Sequence, residues 1–119
     1  MIAFHLKGVV ILFNLANKVA VITGCGSING IGFATAKVLA KAGANIFITS
    51  TTERILERVQ ELREIFGKDT VMGISADLTD EKQVNKLVQV CLRSFSKIDI
   101  LVNNAGMVQV GCDLSLIHI

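Results

Sequence analysis

The hydrophobic pattern changes its period repeatedly between Asn17 and Val102. Val19-Ala-Val-Ile22 is a short continuous apolar run, the pattern of a strand buried on both faces. After a glycine-rich turn, Ile31, Ala34, Thr35, Val38, Leu39 and Ala42 recur at helical spacing and stop at Gly43. Ile46-Phe-Ile48 predicts a second strand. Ile55, Val59, Leu62 and Phe66 predict a second helix closed by Gly67, with charged residues on its other face. Val71-Met-Gly-Ile74 reads as a third strand, after which Thr79 or Asp80 caps a third helix carrying Val84, Leu87, Val88, Cys91 and Phe95. Ile100-Leu-Val102 is the fourth strand. Strands and helices alternating at this spacing predict an α/β fold, a parallel sheet with helices on both faces.

Composition agrees with that reading and removes several function classes. The chain has 119 residues, enough for one domain, with 51% apolar residues and no proline, which suits a packed core. Net charge is +2 with both signs interspersed, so the basic stripe of a nucleic-acid binder is absent and no nucleic-acid partner is expected. Cys25, Cys91 and Cys112 are odd in number and scattered. They predict free thiols in a reducing cytoplasm rather than a disulfide framework or a metal site. No apolar run reaches the roughly 18 residues of a membrane helix, so no membrane partner is expected. Met1–Phe13 has one Lys, a short apolar stretch and no small-residue cleavage site, a poor match to a signal peptide. Residues 1–13 read as an N-terminal extension whose standing depends on the true start codon. Lys7-Gly8 can be encoded by a purine-rich stretch like a ribosome-binding site, and Leu12 is then an alternative start.

The candidate chemistry sits in the first turn, Thr23-Gly24-Cys25-Gly26-Ser27-Ile28-Asn29-Gly30-Ile31-Gly32, between a strand and a helix. That is the setting of a dinucleotide fingerprint. One glycine permits the sharp turn, another lets the backbone approach a pyrophosphate, and the last lets helix and strand pack closely. Free amides and the positive end of the helix dipole then face the phosphates. Ser27 and Asn29 are candidates for polar contacts, or alternatively only shape the turn.

Thr23-Gly24 with Gly30-Ile31-Gly32 resembles the T-G-x-x-x-G-I-G turn of the short-chain dehydrogenase/reductase family. Asp77-Leu78, after the third strand, is similar to that family's adenine-contacting acidic residue and its neighbour. Asn103-Asn104-Ala105-Gly106, after the fourth, is similar to its N-N-A-G motif. The resemblance covers roughly residues 14 to 111 and implies a Rossmann-type doubly wound sheet, here truncated after about four strands. The turn is two residues longer than the common one, as in some 3-oxoacyl-carrier-protein-reductase-like members whose turn ends Asn-Gly-Ile-Gly. The resemblance implies that Gly24, Ser27, Asn29, Gly30, Ile31, Gly32, Ser50, Thr51, Asp77, Leu78, Asn104, Ala105 and Gly106 bind the cofactor.

An NAD enzyme usually places an acid at the end of the second strand to bind the ribose 2′-hydroxyl. Here that stretch is Thr49-Ser50-Thr51-Thr52, and no acid occurs before Glu53. NADP is therefore favoured, with NAD as the alternative. Arg54 is within reach of a 2′-phosphate, but the favoured expectation is a solvated residue of the helix's first turn; the face formed by Glu53, Arg54, Glu57, Arg58, Glu61, Arg63 and Glu64 is expected to be solvated, and no function is assigned to it. Asp77 has a plainer reading as well, since an Asp opening a loop before a helix often makes only local turn bonds.

The family's carbonyl chemistry uses a serine, a tyrosine proton donor and a lysine four residues after it. This chain has no tyrosine, so no catalytic residue is assigned and the chain alone is expected to be inactive. Residues 14–113 read as the N-terminal half of a dinucleotide-binding domain. Leu114-Ser-Leu-Ile-His-Ile119 matches a translation of a transposase mosaic-end sequence and reads as a non-native tail. The expected parent is a cytoplasmic, homo-oligomeric oxidoreductase acting on a small-molecule carbonyl or hydroxyl substrate. The alternatives are a non-catalytic module that senses redox cofactor and an NAD-linked alcohol or sugar dehydrogenase.

Overall fold

The computed structural model describes residues 2–6 and 9–104, with side chains from Asn14 onward. The chain begins with an antiparallel hairpin, β1 (Ile2–Leu6) and β2 (Val9–Phe13), which forms a two-stranded sheet of its own. Then come β3 (Val19–Ile22), α1 (Ile31–Lys41), β4 (Asn45–Ser50), α2 (Ile55–Phe66), β5 (Val71–Ser75), α3 (Glu81–Phe95) and β6 (Ile100–Val102). The hairpin was not foreseen. The other elements follow the predicted order, and β3 and β6 have the predicted bounds. β4 is longer because Asn45, Thr49 and Ser50 also pair in the sheet, although none is apolar.

The main sheet is parallel with strand order β5-β4-β3-β6. Its two faces are buried by different helices, which explains the continuous apolar runs. Ala20, Ile22, Ile46 and Ile48 pack with Phe33 and Ala36 of α1 and Ile55, Val59 and Leu62 of α2. Val19, Val21 and Phe47 point the other way, onto Leu87, Val88 and Cys91 of α3. Burying each of the Val, Leu, Ile and Phe side chains among these contributes about 1.5–3 kcal/mol. The chain runs outward from β3 to β5, and α3 then returns it to β6 on the far side of β3. The reversal places a topological switch point between β3 and β6, where sheets of this kind hold ligands beyond their carboxyl ends.

The helix stops are those the sequence suggested. Gly43 and Gly67 have φ of +102° and +98°. Of the two candidate caps for α3 it is Asp80 that serves, accepting from the Lys82 amide at 3.0 Å. Gln83 adds a second bond, its Nε2 donating to Asp80 at 3.1 Å.

The charged face of α2 departs from expectation at Arg58 and Arg63. Arg58 is buried, with its guanidinium 2.7 Å from Glu61, 3.4 Å from Glu57 and over the Phe33 ring at 5.7 Å. Its position explains this: Arg58 is three residues from Ile55 and four from Leu62, so it shares their inward stripe. The guanidinium thus reaches from α2 to the Phe33 ring of α1. Arg63 also turns inward, its Nε donating to the Val71 carbonyl at 2.8 Å.

At the opposite end of the sheet from the glycine turn, Asp99 ties β6 to β3. Its carboxylate accepts from the Val19 amide at 2.8 Å and pairs with Lys97 at 3.0 Å, while its own amide donates to the Val19 carbonyl at 2.9 Å. The Val19 hydrogen bond, then Lys97, holds the Asp99 carboxyl below its usual value. A depressed carboxyl stabilises the fold above the unfolded value of about 3.9, and that contribution disappears as pH falls through the folded value. Asp99→Asn should therefore lower the urea midpoint at neutral pH, with the gap to wild type closing below about pH 4. A gap that persists undiminished at lower pH would refute the assignment.

Candidate functional site

The loops after β3, β4, β5 and β6 all emerge at one end of the sheet. After β3 the chain enters the glycine turn, with Gly24 at φ +70°. Two bonds then set the turn's path: the Cys25 amide donates to the Thr49 carbonyl at 3.0 Å, and the Gly30 amide to the Ser27 carbonyl at 3.1 Å. The Ser27 hydroxyl accepts from the Asn29 amide at 3.3 Å, so Ser27 and Asn29 do shape the turn. Gly30 precedes α1 and offers no side-chain cap. The amides of Ile31, Gly32 and Phe33, the first of the helix, meet no acceptor among the described residues. Ile31 is 76% exposed, so that rim is open.

Gly32 is where helix and turn touch. A Cβ there would lie 2.5 Å from the Gly24 carbonyl oxygen and 2.8 Å from Asn104 Nδ2. The turn is also fastened to the end of β6. The Thr23 hydroxyl accepts from the Asn104 amide at 2.8 Å and donates to Asn103 Oδ1 at 3.1 Å, while Asn104 Nδ2 donates to the Gly24 carbonyl at 3.3 Å. These bonds join sequence positions about eighty apart, and Thr23 was not among the predicted site residues. Cys25 is fully buried inside the turn, its Sγ donating to the Ile22 carbonyl at 3.4 Å, and burial pushes its thiol up to about 12. It is packing, not a nucleophile.

A cavity of about 480 Å³ lies over the ends of β3, β4 and β5. Of the predicted residues, Gly24, Ser27, Ser50, Thr51, Asp77 and Leu78 line it. Asn29, Gly30, Ile31, Gly32 and Asn104 border the turn without lining that space. Ala105 and Gly106 lie outside the described residues. Gly26, Thr49, Thr52, Arg54, Ala76 and Thr79 were missed as wall residues. Proximity to the ends of β4 and β5 was the available signal for all but Gly26, which sits inside the glycine turn.

Asp77 makes the local turn bonds of its plainer reading. It is on the cavity wall, and its Oδ1 accepts from the Thr79 hydroxyl at 2.6 Å and the Thr79 amide at 2.9 Å. Those bonds, the hydroxyl first, hold its carboxyl below the usual aspartate value. The wall can therefore offer a carboxylate fixed in place and several hydroxyls, while the open amides belong to the neighbouring start of α1. Among the described residues there is no group of acids, cysteines and histidines able to hold a metal ion. None of the described helices is long and apolar enough to cross a membrane.

The family model for short chain dehydrogenase matches residues 18–117. The chain belongs to that family. Among its short-chain dehydrogenase relatives, 12alpha-hydroxysteroid dehydrogenase of a Clostridium species is 36% identical over 104 residues, covering 83% of this chain and 40% of that protein. Among solved structures, L-sorbose reductase from Gluconobacter frateurii, complexed with NADPH and L-sorbose, is 40% identical with a TM-score of 0.71, covering 79% of this chain and 35% of that one. A short-chain dehydrogenase/reductase from Burkholderia phymatum in complex with NAD is 33% identical with a TM-score of 0.67, covering 76% and 31%. The chain thus spans about two-fifths or less of the length of these relatives. The matched region of this short-chain dehydrogenase chain begins at Lys18, after the hairpin.

Proposed function

We propose that this chain is the nucleotide-holding portion of an oxidoreductase that moves a hydride between a nicotinamide cofactor, preferentially NADP, and a small-molecule carbonyl or hydroxyl compound. The observation that carries this reading is the 480 Å³ cavity at the strand ends, beside a helix whose first amides are open. The residues present fit such a group. Backbone can approach closely at Gly26, where a Cβ would come within 3.1 Å of Ser50 Cβ and Oγ. The open amides and dipole of α1 suit a pyrophosphate. Ser50, Thr51 and Thr52 put hydroxyls, and no acid, where a ribose-binding carboxylate would favour NAD.

In this reading Gly24, Ser27, Asn29, Gly30, Ile31 and Gly32 hold the pyrophosphate side. Ser50 and Thr51 hold the adenosine ribose, and Asp77 and Leu78 hold the adenine. Asn104, Ala105 and Gly106 continue the site past β6. Bound there, the nicotinamide supplies the hydride acceptor or donor. Residues 14–113 form the binding half, and substrate choice and homo-oligomer formation belong to the longer protein. A 3-oxoacyl-carrier-protein-reductase-like subtype rests on the long turn ending Asn29-Gly30-Ile31-Gly32.

Carbonyl reduction in this family needs a tyrosine proton donor, and this chain has none. The test is calorimetric titration of the purified chain with NADPH and NADH, followed by an assay of NADPH oxidation with carbonyl compounds. Saturable binding, tighter for NADPH, with no turnover is expected. Absence of binding to either dinucleotide sinks the nucleotide reading, and turnover by the pure chain sinks the division of labour.

A further inference from the structure

We propose that Arg58 of α2 is a positioning residue for the phosphate-binding end of α1, acting through the Phe33 ring on the open amides of that helix's first turn. The inference rests on the nucleotide-binding reading above and extends it to a residue that does not line the cavity.

The first turn of α1 has little of its own to hold it. Gly30 gives it no side-chain cap, and no acidic residue lies in that turn. A helix start of this kind frays unless packing fixes it. Gly32 is fixed against Gly24 and Asn104. The next residue, Phe33, is fixed against α2. Its ring is buried, with Lys37 Nζ 5.0 Å from the centroid and the Arg58 guanidinium 5.7 Å from it. Lys37 belongs to α1 itself, so Arg58 is the cation that joins this ring to a second helix.

Arg58 is the one buried charged residue among the described residues. Its guanidinium is anchored on its own helix by Glu61 at 2.7 Å and Glu57 at 3.4 Å. A cation held in this way is a fixed support for an aromatic face. The arrangement is a poor one for cohesion alone. Arg58 Nε and Glu61 Oε2 are buried with no hydrogen-bond partner among the described residues. A buried ion pair is often matched or bettered by apolar side chains of similar volume. An inward position three residues from Ile55 and four from Leu62 would ordinarily be apolar. The charge serves instead to hold Phe33, and with it the orientation of the open amides of Ile31, Gly32 and Phe33.

Calorimetry on the full chain compares adenosine 5′-diphosphate with adenosine, which lacks the phosphates, and urea midpoints are read in parallel. Arg58→Met removes the charge and keeps an unbranched stem. It should weaken the diphosphate about fivefold, the scale of one cation–π contact, and leave adenosine within about twofold. Its urea midpoint should be unchanged or higher. Phe33→Leu should show the same selective loss of diphosphate affinity. The double variant should bind no more weakly than the weaker single variant, since each removes the same contact. An unchanged diphosphate affinity in Arg58→Met overturns the proposal while the nucleotide site stands. So does an equal loss for both ligands with a lowered midpoint, which makes Arg58 structural only. Additive losses in the double variant also overturn it, because Arg58 then does not act through Phe33. If adenosine 5′-diphosphate does not bind wild type, the functional reading itself fails, and this inference with it.

Discussion

Gly32→Val is expected to abolish nucleotide binding and to destabilise the chain by about 3 kcal/mol or more, the upper end for overpacking. Even the first added carbon would sit 2.5 Å from the Gly24 carbonyl oxygen and 2.8 Å from Asn104 Nδ2. Neither neighbour has somewhere to go. Gly24 is the residue that turns the chain out of β3, and Asn104 is tied through its amide to Thr23. Relief must come from moving α1 away from the sheet. That would misdirect the open amides of Ile31 and Gly32 and strip contacts from Phe33 and Ala36. An ordinary helix-interior glycine behaves in the opposite sense, gaining roughly 0.5–1 kcal/mol when it becomes alanine. Urea midpoints and NADPH titration measure both effects. A Gly32→Val chain with wild-type midpoint and wild-type affinity would show that the close approach does not hold.

The same contact shows what sequence reading can and cannot reach. Gly32 was legible because helix onset, glycine spacing and the preceding strand all lie within a few residues of each other. Its partners were not legible in the same way. The Thr23–Asn104 bond spans eighty-one positions, and no periodicity encodes which hydroxyl faces which amide. The Asn103-Asn104 motif indicated a place, and only the parallel pairing of β3 with β6 brings it against the turn.

Arg58 teaches a related lesson. Its charge suggested solvent, whereas its spacing from Ile55 and Leu62 put it on the core stripe, and the spacing won because the long side chain can bury its stem and still reach Glu61. The bounds of β4 failed for a third reason. Asn45, Thr49 and Ser50 pair through their backbones, which hydrophobicity does not report. Two of the three, Thr49 and Ser50, line the cavity at the end of β4.

Gly73→Ala should be the other large loss, and its sign separates two explanations. Gly73 lies inside β5, where a glycine usually weakens a strand and alanine would be worth roughly 0.5–1 kcal/mol. Here the new methyl would meet the Ile48 carbonyl oxygen at 2.5 Å and Val59 Cγ2 at 2.7 Å. Ile48 is its partner in the parallel ladder, so the carbonyl cannot retreat without breaking β4–β5 pairing. Val59 belongs to α2, so the helix must lift instead. A loss of about 2–3 kcal/mol is expected from this overpacking. Because α2 begins beside Glu53 and Arg54, a lifted helix should also weaken nucleotide binding. Combining Gly73→Ala with Val59→Ala removes one of the two clashes, so the double variant should be more stable than the sum of its single losses predicts. Additive losses, or a Gly73→Ala chain more stable than wild type, would mean that α2 does not rest on β5 at this glycine.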